Sequence, residues 1–192
     1  MDVLLGIFSA FGLSASAGLN AYIPLLVVGV IAHYTDWISL NSPWDLLANP
    51  WILILLGILV IIEMLADKVP AVNHINDAIQ TVVRPAAGAI AFAASAKVVT
   101  DINPVLALAA GLLIAGGVHA VKSAAVRPAV TATTGGAANV PVSIAEDIIS
   151  TVVSVLSIVI PIIVGVLLVI FLAFVIWWLW RRTDKPEKTE TA

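Results

Sequence analysis

From Ile148 to Trp180 the chain runs 33 residues without an Asp, Glu, Lys, Arg, His, Asn or Gln. No water-facing helix can be written from such a run. As helix, at about 1.5 Å per residue, it outlasts the roughly 30 Å hydrocarbon core of a bilayer. Pro161 falls inside it, removes a backbone donor, and is expected to kink or divide it. The 20 residues from Pro161 to Trp180 suffice for one crossing by themselves.

The rest of the chain fits the same solvent. Of its 192 residues 61% are hydrophobic and 11% charged, with a mean hydropathy of +1.09. A water-soluble domain carries about 25% charged residues. The sequence therefore predicts an all-α, polytopic membrane bundle of about six spans. They fall at Val3–Ala32, Trp51–Ala66, Pro85–Val99, Pro104–Val121, Pro128–Ala145 and within Ile148–Trp180. Residues 1–182 form one integral-membrane domain, and 183–192 a polar, disordered cytoplasmic tail. The stretch from Asp67 to Arg84 is too polar to face lipid. It is expected as an interfacial or re-entrant helix with Asn73, Asn76, Asp77 and Gln80 towards water.

Charge orients this arrangement. Lys68, Arg84, Lys122, Arg127, Arg181, Arg182, Lys185 and Lys188 share one side of a six-span scheme, and only Lys97, beside Asp101, falls on the other. The excess of bases marks the cytoplasmic side, so both termini are expected in the cytoplasm and the chain in the cytoplasmic membrane. Trp37, Trp44 and Trp51 suit the outer interfacial belt, and Trp177, Trp178 and Trp180 the inner one. No basic cluster lies outside the tail, which argues against nucleic acid. With no cysteine, thiolate metal sites and disulfides are excluded.

"GLSASAGLNAYIPLL", Gly12 to Leu26, interrupts the first span with small and polar residues. Ala15-Ser16-Ala17 resembles a signal cleavage site, but no basic residue precedes it and the apolar run resumes after it. Two readings remain: a close helix-packing surface, or a broken helix that offers its backbone to a ligand. The stretch has an echo. "SASAGLNAYIP" (Ser14–Pro24) resembles "TATTGGAANVP" (Thr131–Pro141), which falls within the fifth span. Gly and Pro interruptions at corresponding places point to a site built from broken helices. A second echo pairs "GILVIIEMLADK" (Gly57–Lys68) with "GLLIAGGVHAVK" (Gly111–Lys122), each followed by "VRPA". It suggests that spans two–three and four–five are a parallel hairpin repeat.

Ionisable residues at membrane depth are candidates by default, because their burial is costly. Glu63 lies within span two, with Asp67 four residues on and so on the same helix face. Two carboxylates there repel unless a proton or a cation is shared. Lys68, Arg84 and Arg127 are the candidate partners, and a structural Glu–Arg pair is the plain alternative. Glu146-Asp147 reads as an outer-end helix cap or a cation mouth. Arg84-Pro85 and Arg127-Pro128 read as helix starts. Together with Lys122 these arginines are candidate inner-mouth contacts for anions or lipid headgroups. His74, Asp77, His119 and Glu63 lack any recognised metal-ligand spacing, so no metal or other cofactor is expected.

The stretches "SASAGLNAYIPLL", "ADKVP" (Ala66–Pro70), "VRPAAGAI" (Val83–Ile90) and "TTGGAAN" (Thr133–Asn139) resemble domain-of-unknown-function family 4126, small bacterial membrane proteins. The resemblance covers nearly the whole chain except the tail. It implies a polytopic membrane protein and carries over no activity and no site residue.

The residues themselves lead to a small transporter, channel or lipid-handling protein. Its pathway is expected along Ser14, Ser16, Asn20, Thr131, Thr133, Thr134 and Asn139, with Glu63 coupling charge or protons. Its partners are the bilayer, an unidentified small solute or lipid, and a second copy, since six short spans are thin to enclose a pathway. The alternatives are a structural or assembly protein, and an intramembrane lipid-modifying enzyme for which no base–nucleophile pair can be named.

Overall fold

The structure, a computed structural model, describes residues 2–40, 42–68, 70–95 and 103–183. Lys97, Asp101 and the tail from 184 onward lie outside these residues. Every regular element among the described residues is helical. The helices are α1 (Asp2–Leu19), α2 (Tyr22–Tyr34), α3 (Pro50–Ala66), α4 (Pro70–Ser95), α5 (Pro104–Val121), α6 (Arg127–Thr134), α7 (Asn139–Val159) and α8 (Pro161–Thr183). A short 3₁₀ turn, Trp44–Ala48, precedes α3, and a π-helical turn, Lys122–Val126, joins α5 to α6.

Local chemistry sets several of these ends. Asn49 and Asn103 each accept a backbone N–H two residues on, with Pro at the first helical position of α3 and α5. Pro161 divides the long apolar run: α7 ends at Val159 and α8 begins at Pro161. Among the described residues, two helices are long and apolar enough to cross a membrane. They are Pro104–Thr134, 31 residues counted through the π turn, and Asn139–Val159, 21 residues.

α1 is the hub, packed against α4, α5, α7 and α8. Polarity in this bundle is inverted relative to a protein folded in water. On α7, Ser143, Glu146, Asp147, Ser150, Ser154 and Ser157 are buried, while Ile144, Ile148, Ile149, Val152, Val155 and Val159 are exposed. α3 repeats the pattern, with Glu63 1% exposed beneath an outer face of Ile54, Leu55, Ile58, Ile61, Ile62 and Leu65.

The expected first span, Val3–Ala32, is not one crossing: α1 runs beside α5 to Lys122, and α2 leads back along α3, from Glu63 at Ala21 to Leu53 at Gly29. Two later segments also differ from the sequence reading. First, Asp67–Arg84 and the span beginning at Pro85 are not separate. α4 passes straight through Pro85, because one interior stripe, Asn76, Gln80, Arg84, Ala87 and Ala91, packs over its whole length. Second, Pro128–Ala145 is not one crossing. Gly135 and Gly136 take positive φ, 63° and 90°, and end α6 there. The chain returns on itself: Thr131 meets Asn139 at 3.1 Å and Lys122 meets Glu146 at 2.7 Å, contacts nested about one turn. The fifth apolar segment is therefore α7. Glu146-Asp147 does not cap a helix at the far end. It lies buried inside α7, on the same side as Lys122.

Candidate functional site

The first helix breaks at Asn20–Ala21, in the middle of the stretch that interrupts its apolar pattern. Asn20 makes the break and repairs part of it. Its backbone N–H still bonds Ser16 O at 3.1 Å, while its side-chain Oδ1 accepts from the N–H groups of Tyr22 and Ile23 at 3.2 and 3.1 Å. That caps α2. Its Nδ2 donates to Asp147 Oδ1 at 3.0 Å.

The remaining freed backbone groups go to charged side chains. Ala21 N–H lies 3.2 and 3.0 Å from the two carboxylate oxygens of Glu63. Leu19 C=O accepts from Lys122 Nζ at 3.2 Å. Such pairing is what buried backbone demands.

Around the break lies a continuous ionic network. Arg84, fully buried, donates through Nε and Nη2 to Glu63 Oε1 at 3.1 and 2.9 Å, and its Nη2 stands 3.4 Å from Asp67 Oδ2. The guanidinium thus bridges Glu63 in the last turn of α3 and Asp67 just after it. Asp67 also meets Lys122 at 3.5 Å, Arg127 at 3.0 Å and Asn76 at 2.6 Å. Arg127 Nη1 donates to both carboxylate oxygens of Asp77, at 2.8 and 2.7 Å. Lys68 bonds Asp147 at 3.1 Å. His119 lies 3.2 Å from both Arg84 Nη1 and Thr81 Oγ1. Burial pushes Asp67, in the turn after α3, towards its neutral form. The charges of Lys122, Arg84 and Arg127 and the Asn76 hydrogen bond outweigh it and hold the carboxyl below the usual carboxylate range.

The expected pathway residues divide into two places. Ser14 and Ser16 are buried and face other helices: Ser14 Oγ donates to Gly88 O at 2.7 Å, and Ser16 Oγ bonds Ser150 and Ser154 at 2.8 and 2.6 Å. Asn20, Glu63, Arg84 and Lys122 meet at the break. Thr131, Thr133, Thr134 and Asn139 are elsewhere, at the α6–α7 turn. There Thr133 and Thr134 bond back to Ala129 O and Val130 O at 2.8 and 2.7 Å. The structure does not bring these threonines to Ser14, Ser16 or Asn20.

What sequence reasoning passed over is the opposite wall, the α7 stripe. Its signal is present: Ser143, Glu146, Asp147, Ser150, Ser154 and Ser157 recur every three or four residues through an otherwise apolar helix. That is a helical period written in polar letters.

Fold and network together define the class: a helical bundle with an ionic interior and an apolar exterior, with two helices among the described residues long and apolar enough to span a membrane. The chain belongs to the family described as domain of unknown function (DUF4126), whose family model matches residues 7–181. No curated protein and no solved structure matches it.

Proposed function

We propose that the chain is an integral membrane protein that passes a small solute or a lipid headgroup along the break in its first helix. One observation carries this reading. Both sides of the break are held by side-chain charges, Glu63 on the Ala21 N–H and Lys122 on the Leu19 C=O. Unwound backbone at membrane depth is tolerated where protein or a water-lined path satisfies it, and such breaks are where transporters place their ligands. Here the chain's own charges occupy that place. Protonating Glu63 cancels the charge that holds Arg84 and the Ala21 N–H, and frees both donors for an anionic group. Glu63 is then the coupling residue, and Arg84, Lys122 and Arg127 bias the neighbouring mouth towards anions. On this reading the protein sits in the cytoplasmic membrane with the basic cluster and the C-terminal end of α8 towards the cytoplasm; α1 runs beside α5 and ends at Lys122, so its first residues lie towards the opposite side, and a second copy completes the pathway.

A second reading has its own support. The Ser14 and Ser16 hydroxyls bond across to α4 and α7, as packing surfaces between helices do. A structural or assembly protein would use them so, with no path for water.

The two separate by water access. Because the chain has no cysteine, single cysteines at Ser16, Asn20, Thr133 and Asn139 report cleanly. A membrane-impermeant thiol reagent is applied to cells and to inverted vesicles, with Leu55→Cys on the apolar outer face as the unlabelled control. The transport reading expects labelling at Asn20 from at least one side, retained in Glu63→Gln, whose neutral amide mimics the protonated carboxyl, while that variant loses proton-coupled flux. Labelling at Thr133 and Asn139 alone, with Asn20 silent from both sides, sinks it in favour of the packing reading.

A further inference from the structure

One feature of the network is independent of whether any solute is carried. Lys122, 3% exposed, places its ammonium among three oxygens: Leu19 O at 3.2 Å, Asp67 Oδ2 at 3.5 Å and Glu146 Oε2 at 2.7 Å. A backbone carbonyl at the C-terminal end of a half-helix, joined by carboxylates, is the donor set that hard alkali cations take. The contact with Glu146 is ionic rather than directional, since Glu146 Oε2 has no hydrogen bond of good geometry. Ser143, buried one turn earlier on the same stripe of α7, has a hydroxyl with no partner. Such an orphaned buried oxygen is uncommon, and it belongs to the buried stripe of α7 that supplies Glu146. Lys122 is also the first residue of the π turn, a local defect in helical register of the kind found at functional sites.

We propose that Leu19 O, Glu146 and Asp67 form a monovalent-cation site whose resident is the tethered ammonium of Lys122, and that displacing it admits an alkali cation. The charge count favours one positive charge over two. Asp67 keeps Arg84 and Arg127 when Lys122 leaves, so Glu146 is the carboxylate left without its partner. A sodium or potassium ion restores the balance that Lys122 held, and the native chain needs neither.

The test uses the full chain in lipid nanodiscs as wild type, Lys122→Ala, and Lys122→Ala with Glu146→Gln. Unfolding temperature is followed in sodium, potassium, calcium and choline chlorides at equal ionic strength, so that screening is held constant. The site predicts a saturable rise of several degrees for Lys122→Ala in sodium or potassium over choline. Wild type shows no such dependence, and the double variant loses it. Equal unfolding temperatures for Lys122→Ala in every salt overturn the site. So do a response to calcium alone, a dependence that survives Glu146→Gln, and an equal response in wild type. Failure of Lys122→Ala to fold even in sodium or potassium overturns it too, because an admitted cation should stand in for the ammonium.

Discussion

Ser14–Pro24 and Thr131–Pro141 are written alike. Each has hydroxyl residues alternating with alanine, then glycine, asparagine and proline. Their fates diverge. In the first, the helix breaks inside the bundle, and Ser14, Ser16 and Asn20 are all buried. In the second, α6 ends in a glycine turn whose threonines are exposed and bond to their own helix. The letters encode an interruption and not its surroundings. A buried interruption must find partners for its backbone groups, and the first finds them in Asn20, Glu63 and Lys122. An exposed one can leave such groups to solvent. Function is therefore argued from the first region, and the second serves as its internal control.

The sharpest way to break this contrast is to remove the charges behind the first region. Arg84→Ala strips Glu63 of its ion-pair partner and Glu63→Ala leaves Arg84 with only the more distant Asp67; breaking a buried pair from one side costs about 3–5 kcal/mol. Denaturation of nanodisc-embedded protein should show it. The double variant Glu63→Leu with Arg84→Met should cost less than either single, because both charges leave together. What remains is the orphaned Ala21 N–H. Additive losses would mean that the two side chains do not act as a pair.

Much of this was legible beforehand, for physical reasons. Apolar runs and prolines fixed the helical class and the division at Pro161. The polar interruption marked the break at Asn20, and the cost of a buried carboxylate singled out Glu63. Arg84 and Arg127 were among the partners expected for Glu63 and Asp67, and both meet these carboxylates; Lys122, Asn76 and the Ala21 N–H were not legible as partners. Whether Arg84-Pro85 begins a helix or lies within one depends on the interior stripe of α4, which is a matter of tertiary packing. Glu146-Asp147 was misplaced because Gly135-Gly136 reads equally as a mid-span defect or as a turn. Only the nested contacts Lys122–Glu146 and Thr131–Asn139 decide between them. The α7 stripe was legible and overlooked, since serines in an apolar helix are easily read as neutral filler.

The asparagines sharpen the comparison at a smaller scale. Asn20→Ala removes the cap on Tyr22 and Ile23 and also the donor to Asp147, all in the interior. A loss of about 2–3 kcal/mol is expected from the cap and the unpaired buried groups together. Asn139→Ala removes a bond to Thr131 at the turn and should stay within about 0.5 kcal/mol. Chemical denaturation midpoints of the two variants, measured side by side, decide it. Comparable losses would mean that the α6–α7 turn is covered, by a second copy or another partner.

Gly18 and Gly135 align in the two echoes, and each is glycine for a different reason. Gly18 lies in α1 where the helices approach closely. A Cβ there would stand 2.6 Å from both Ala115 O and Val118 Cβ. The backbone oxygen cannot swing aside, so Gly18→Ala should cost about 1–3 kcal/mol through overpacking. At Gly135 a Cβ meets nothing within 4 Å, but φ is 63°. The penalty there is conformational, about 1–2 kcal/mol for alanine. Asparagine tells the two mechanisms apart. It tolerates left-handed backbone, so Gly135→Asn should recover most of what Gly135→Ala loses. At Gly18 the bulkier side chain should do worse than alanine. Thermal unfolding of the four variants gives the answer as a crossed pattern. If asparagine were worse than alanine at both positions, Gly135 would also lie against something, and the contrast between a buried break and an open turn would fail at its most local point.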